Sequence, residues 1–152
     1  MILRLTAAVR DDLIGMARAA LPNEACGYLA GDTALEGDVA GQTVSVVGVY
    51  PIANAAKSPV AFVLDPAAML AAEDSIDRAG RRVVGLVHSH PTSRARPSPR
   101  DLSDASTYDP QSHWVHVIVS LQGFAPTLSG WRYRTGEGRD PEELQLEIVE
   151  ST

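Results

Sequence analysis

The sequence predicts an α/β layered fold, a mixed β-sheet flanked by helices. Three observations carry this: apolar residues at helical spacing in 9–21, a well-capped helix over 65–80, and β-branched apolar runs that alternate with the helices. The whole chain, 1–152, is read as one domain, long enough to bury a sizeable core.

In the first helix, Leu13, Ile14, Ala17, Ala20 and Leu21 share a face, and Pro22-Asn23 end it. Residues 26–31 read as a short buried strand closed by a glycine-rich, acidic turn, and 44–50 as a second, β-branched strand. A loop over 51–59 leads into a short strand at 61–64. Asp65 can cap the second helix, Pro66 suits its first turn, and Gly80 stops it. The strand over 82–88 is apolar on both faces, which suggests a central place in the sheet. A third helix starts at Ser98-Pro99 and stops before Asp109-Pro110. Strands at 114–121, 128–134 and 144–149 complete the set. In the last, Leu144, Leu146 and Ile148 share one face, a period of two. A flexible linker is expected at 135–141, and no internal repeat is visible.

Composition bounds the function. Hydrophobic residues make up 45% and charged residues 21%, an ordinary globular balance. No apolar run approaches the roughly 20 residues a membrane helix needs, and the start of the chain lacks the apolar core of a signal peptide. The single cysteine, Cys26, excludes an internal disulfide and suits a reducing compartment, so a cytoplasmic location is expected. A pI near 5.1 argues against nucleic-acid binding as the main task. The net charge of −6 is uneven: residues 78–100 hold six arginines and no acid. That run reads either as a solvated surface or as a local positive field for an anionic substrate group.

The informative stretch is His88-Ser-His-Pro-Thr-Ser-Arg-Ala-Arg-Pro-Ser-Pro-Arg-Asp101. Residues two apart on a strand point the same way, so His88 and His90 can share a cation. Asp101, in the first turn of the next helix, can fold back to add a carboxylate. Two imidazoles and one carboxylate are three protein ligands, which leaves a catalytic zinc one open position. Ser98 is either the N-cap of that helix or a hydroxyl that stabilises an oxyanion near the metal. Arg94, Arg96 and Arg100 are tied by the chain to the metal's surroundings and are candidates to hold a substrate carboxylate. His113 and His116, three apart on a strand, make a poor ligand pair and read as structural or surface residues. Cys26 reads as a packing cysteine, and Trp114, Trp131 and Tyr133 as core or sheet-face aromatics.

This pattern, His-x-His-x7-Ser-x2-Asp, resembles the motif of the JAMM (MPN-plus) metalloproteases, metal-dependent isopeptidases that act on ubiquitin-like proteins. The resemblance extends to Asn23-Glu24-Ala-Cys-Gly-Tyr-Leu-Ala-Gly31 and to Ser58-Pro59 running into Phe62 and Asp65-Pro66. It implies that Glu24 is the general base beside His88, His90 and Asp101, that the metal is zinc, and that the fold is cytidine-deaminase-like. Small bacterial members imply hydrolysis at the C-terminal tail of a ubiquitin-like sulfur carrier, with release of an amino acid such as cysteine. Two rivals are a non-catalytic scaffold, which the intact motif disfavours, and a DNA-repair-associated relative, which the acidic balance disfavours.

Overall fold

The structure, a computed structural model, describes residues 1–32, 42–134 and 140–150. Eleven elements follow one another among them: β1 (Ile2–Thr6), α1 (Ala7–Ala20), β2 (Cys26–Gly31), β3 (Thr43–Val46), β4 (Gly48–Ile52), α2 (Pro66–Arg78), β5 (Arg82–His90), α3 (Pro99–Tyr108), β6 (Val115–Ser120), β7 (Thr127–Tyr133) and β8 (Pro141–Val149). The eight strands form one mixed sheet in the order β3-β1-β8-β7-β6-β5-β2-β4. Among the described residues, no helix is long and apolar enough to cross a membrane.

Helices cover both faces of the sheet. On one face α1 buries Val9, Leu13 and Ala17 against Leu3, Leu5, Leu29, Val87, Val117 and Leu144. On the other, α2 sets Ala72 and Ile76 on Cys26, Tyr28 and Leu86, while α3 sets Ala105 beside Ile118, Trp131 and Tyr133. Each helix start is capped by a side chain. Thr6 accepts from Val9 N at 3.1 Å and Asp65 from Ala68 N at 2.9 Å, so orphan amides of the first turn are satisfied.

Three expectations change. Residues 2–6 form a strand that was not foreseen, with Leu3 and Leu5 fully buried. The expected strand over 44–50 is two strands, β3 and β4, at opposite ends of the sheet order. Val47 joins them and donates its amide to Ala30 O at 2.8 Å. One residue cannot span an open sheet, so the sheet must curl until its two edges approach at Val47. The expected strand at 61–64 is reduced to a single bridge, Asn54 to Leu64. The acidic turn expected after Gly31 and most of the linker expected at 135–141 lie outside the described residues, and β8 already begins at Pro141.

Strand β5 lies inside the sheet, antiparallel to β2 and parallel to β6. Opposite Leu29 and Ala30 its register slips: Leu29 pairs with Gly85 and Ala30 with Val83, leaving Val84 as a bulge. Val84 and Val87 therefore both face α1, while Leu86 and the histidines beyond it face α2 and α3. At Gly85 an added Cβ would overlap the carbonyl oxygen of Val115 on β6. Only glycine lets the two parallel strands approach this closely. Gly85→Ala is therefore expected to destabilise the fold by about 1–3 kcal/mol or more, as for other overpacked sites. Urea unfolding tests this, and an unchanged midpoint would show that β5 and β6 can separate without cost.

Candidate metal centre

His88 and His90 end β5 on the side that faces α3. Helix α3 begins just after the loop that follows, so its first turn meets the end of the strand. His88 Nε2 and His90 Nε2 lie 3.1 Å apart, and Asp101 Oδ2 stands 3.2 and 3.1 Å from them. These three atoms mark a nearly equilateral triangle. A tetrahedral metal with bonds near 2.0–2.1 Å separates neighbouring ligand atoms by about 3.3 Å. A single shared proton can satisfy only one of the three contacts, whereas a cation at the centre satisfies all of them. The donor set fits a divalent cation.

The surroundings fix the triangle. A carbonyl can only accept, so His90 Nδ1 must carry the proton that it donates to Arg94 O at 2.8 Å. That leaves the Nε2 lone pair free for a metal. Phe62 stacks on the His88 ring at 4.9 Å with the planes 24° apart. Ser98 and Asp101 form a reciprocal capping box: Asp101 N donates to Ser98 Oγ at 3.1 Å, and Ser98 N to Asp101 Oδ2 at 2.9 Å. Burial alone would raise the Asp101 pKa, but the two imidazoles beside it and the hydrogen bond from Ser98 N hold it well below the usual carboxylate range. For His90, burial works to lower the pKa and is outweighed by its bonds to Asp101 and Arg94 O, so it ends up raised. Ser98 is thus the N-cap. The cap uses its oxygen as an acceptor and leaves the hydroxyl proton available to donate.

Glu24 precedes β2, whose Cys26 pairs in register with His88, so the start of β2 lies beside the end of β5. The Glu24 side chain is buried, and its Oε1 has no hydrogen-bond partner. Burial pushes its pKa up to about 7, against the opposing pull of His88 and His90. Its backbone is held on both sides: Glu24 N donates to Ser58 O at 2.9 Å, and Glu24 O accepts from Asn54 Nδ2 at 3.0 Å. A cleft of about 470 Å³ opens beside it, lined by Met16, Ala20, Glu24, Pro51 and Asn54 among others.

A buried carboxyl next to a ready-made tridentate site is the arrangement the motif led one to expect, and relatedness can now be weighed. The family model described as prokaryotic homologs of the JAB domain matches residues 6–133, which include every residue of the site. The chain belongs to this JAB family. It is 37% identical to the desampylase of Haloferax volcanii over 80% of this chain and 82% of that one. It is 31% identical to the CysO-cysteine peptidase of Mycobacterium tuberculosis, over 76% of this chain and 73% of that one. A solution structure of a Desulfitobacterium hafniense protein, 35% identical, superposes with a TM-score of 0.75 over 97% of this chain and 95% of that one.

Other residues of this JAB chain also find their places. Arg94, Arg96 and Arg100 are all exposed. Arg96 lies over the Trp131 ring, 5.5 Å from its centroid, and Arg100 reaches Asp104 at 3.9 Å. His116 is buried and bonded to Asp109 Oδ2 at 3.0 Å, a structural pair, while His113 is exposed. Cys26 is buried, and its thiol is pushed up to about 12 by burial and then by the Glu24 charge, so it packs rather than reacts. Trp131 and Tyr133 belong to the core beneath α3, and Trp114 meets Tyr28 edge-on at 6.1 Å.

Two positions escaped the sequence reading. Asn54 donates to the carbonyls of Glu24 and Ala61 and accepts from Ala56 and Val63 N, tying Glu24 to the loop that carries Phe62. Its contact with the amide two residues on is an Asx turn, and Asn54-Ala-Ala-Lys-Ser-Pro59 did carry that turn signal. Ser89 accepts from Ala25 N at 2.7 Å through its hydroxyl and ties the end of β5 to the residue after Glu24.

The raised pKa of Glu24 makes stability depend on pH. Below the ordinary value of 4.5 both folded and unfolded chains hold the proton. Between 4.5 and about 7 the unfolded chain loses it first, so stability falls as pH rises, then levels off above about 7. In metal-free protein, Glu24→Gln is therefore expected to raise Tm more at pH 8 than at pH 5. An equal gain at both pH values would mean that Glu24 is not held against its charge.

Proposed function

We propose that this chain is a zinc-dependent peptidase that hydrolyses an amide bond at the C-terminal tail of a ubiquitin-like sulfur carrier, releasing an amino acid such as cysteine. The observation that carries the reading is the triangle of His88 Nε2, His90 Nε2 and Asp101 Oδ2 beside the buried carboxyl of Glu24. Desampylase and CysO-cysteine peptidase, the names of its relatives, support the reaction class and a ubiquitin-like partner. Imidazole and carboxylate ligands with one open position favour zinc. The cytidine-deaminase-like version of the layered fold, a single domain over 1–152 and a cytoplasmic setting belong to the same reading.

His88, His90 and Asp101 would hold the metal, which when bound supplies Lewis acidity to polarise the amide carbonyl and acidify water. Glu24 takes a proton from the attacking water at a carboxylate oxygen and passes it to the leaving amine nitrogen. Burial, which raises the Glu24 pKa in the metal-free chain, favours its taking up that proton. The Ser98 hydroxyl, whose proton the cap does not use, donates to the carbonyl oxygen as charge develops there. Among the three arginines, Arg94 has no guanidinium partner among the described residues and is the best placed to receive the free carboxylate of the released residue. Arg96 and Arg100 would first have to leave Trp131 and Asp104.

The test is cleavage of a carrier–cysteine adduct, with and without its terminal carboxylate amidated. Glu24→Gln should keep its metal and fold while kcat falls roughly 10²–10⁴-fold. Arg94→Ala should lower the preference for the free carboxylate by about tenfold or more, the worth of a hydrogen bond to a charged group. Unchanged turnover in Glu24→Gln would remove Glu24 as the base. A wild-type enzyme blind to amidation would remove the carboxylate contact.

A further inference from the structure

His90 owes its tautomer to one backbone carbonyl, that of Arg94, 2.8 Å from Nδ1. Arg94 is exposed and lies in the loop after β5, outside any helix or strand. A free loop would let this carbonyl swing away, and either ring nitrogen of His90 could then carry the proton. The structure shows what prevents that. Three consecutive carbonyls of the loop each have an assigned donor. Ser93 O accepts from Ser120 Oγ at 2.6 Å, Arg94 O from His90 Nδ1 and from Arg96 N at 2.8 Å, and Ala95 O from Ser129 Oγ at 2.6 Å.

The serine hydroxyls are themselves oriented. The indole Nε1 of Trp131 can only donate, and it donates to Ser129 Oγ at 2.6 Å, so Ser129 must spend its own proton on Ala95 O. Gln122 N does the same for Ser120, at 3.1 Å. Trp131 is buried, and the Arg96 guanidinium lies over its ring, which presses the loop onto β7 from outside. Trp131, Ser129 and Ala95 thus form a directed relay that ends one peptide unit from the carbonyl holding His90.

We infer that Ser129 and Trp131 are positioning residues for His90: through the loop they hold the Arg94 carbonyl, which keeps the proton on Nδ1 and presents Nε2 to the metal. The inference rests on the proposed role of His90 as a ligand. It also gives Arg96 a place in the strap rather than on the substrate. Outer-shell partners of ligand histidines typically affect metal affinity 10–100-fold, and a partner one peptide unit further out should fall near the low end, about tenfold.

The experiment measures zinc affinity by competition with a chelator, and the His90 ring tautomer by ¹⁵N NMR of the metal-free protein at pH 8. Wild type, Ser129→Ala, Ser129→Thr, Trp131→Phe and His90→Ala are compared. Ser129→Ala should weaken zinc binding about tenfold and mix the two tautomers, whereas Ser129→Thr, which keeps the hydroxyl, should restore both. Trp131→Phe keeps a ring under Arg96 but frees the Ser129 hydroxyl to turn, so it should lose about threefold. A role confined to stability would lower Tm in these variants and leave tautomer and affinity at wild-type values, and that result overturns the inference. If Ser129→Ala does not fold, the Thr and Phe variants decide by the same two readouts. Zinc binding that survives His90→Ala would sink the metal reading instead, and the tautomer arm, which needs no metal, would still decide the strap.

Discussion

Asp101 Oδ2 lies within hydrogen-bond distance of His88 Nε2, His90 Nε2 and Ser98 N at once. Much of the molecule is arranged to make that meeting possible. The histidines come from the end of a strand buried inside the sheet, and the carboxylate from the first turn of a helix packed on the same face. The capping box does two jobs with one pair of residues. It starts α3, and it turns the Asp101 side chain back toward β5. Helix starts favour anions, so a carboxylate at this position is supported by the first-turn amides even before a cation arrives. A negative group kept well below its ordinary pKa beside two imidazoles is a site prepared for positive charge.

Glu24 is held by different means. Glu24 gains little from its side-chain surroundings, since one oxygen is buried without a partner and the whole group is desolvated. Its place is imposed through the backbone by Ser58 O, the Asn54 side chain and, one residue on, Ser89. This division has a physical logic. A metal ligand can be tied down through its second polar atom, because only one atom is needed for the metal. A general base must keep its carboxylate unencumbered, so its position has to come from the main chain.

The site was legible in the sequence because its parts are local: two residues apart on a strand, three apart in a capping box, and a short loop between. Asp65-Pro66 and Gly80 marked α2 for the same reason. What stayed hidden depends on partners far along the chain. Thr43–Ile52 is rich in valine, and nothing in a period of two says that Val47 turns it from one sheet edge to the other. Strand β1 is only five residues long and is recognisable once β3 and β8 flank it. Ser129 bonds to a carbonyl 34 residues away, a contact that composition cannot announce. The arginine loop was legible as charge but not as contacts: Arg96 lies over the Trp131 ring, and Arg100 reaches Asp104 at 3.9 Å.

The central claim is that His88, His90 and Asp101 together hold one catalytic cation. Crystals of the protein purified with zinc, with diffraction data collected on both sides of the zinc absorption edge, test it most directly. The account predicts one anomalous peak, bonded to His88 Nε2, His90 Nε2 and Asp101 Oδ2 at about 2.0–2.2 Å and open on its fourth side toward Glu24. A peak bound elsewhere, or zinc-free density with the two imidazoles and the carboxylate still in direct contact, would contradict it.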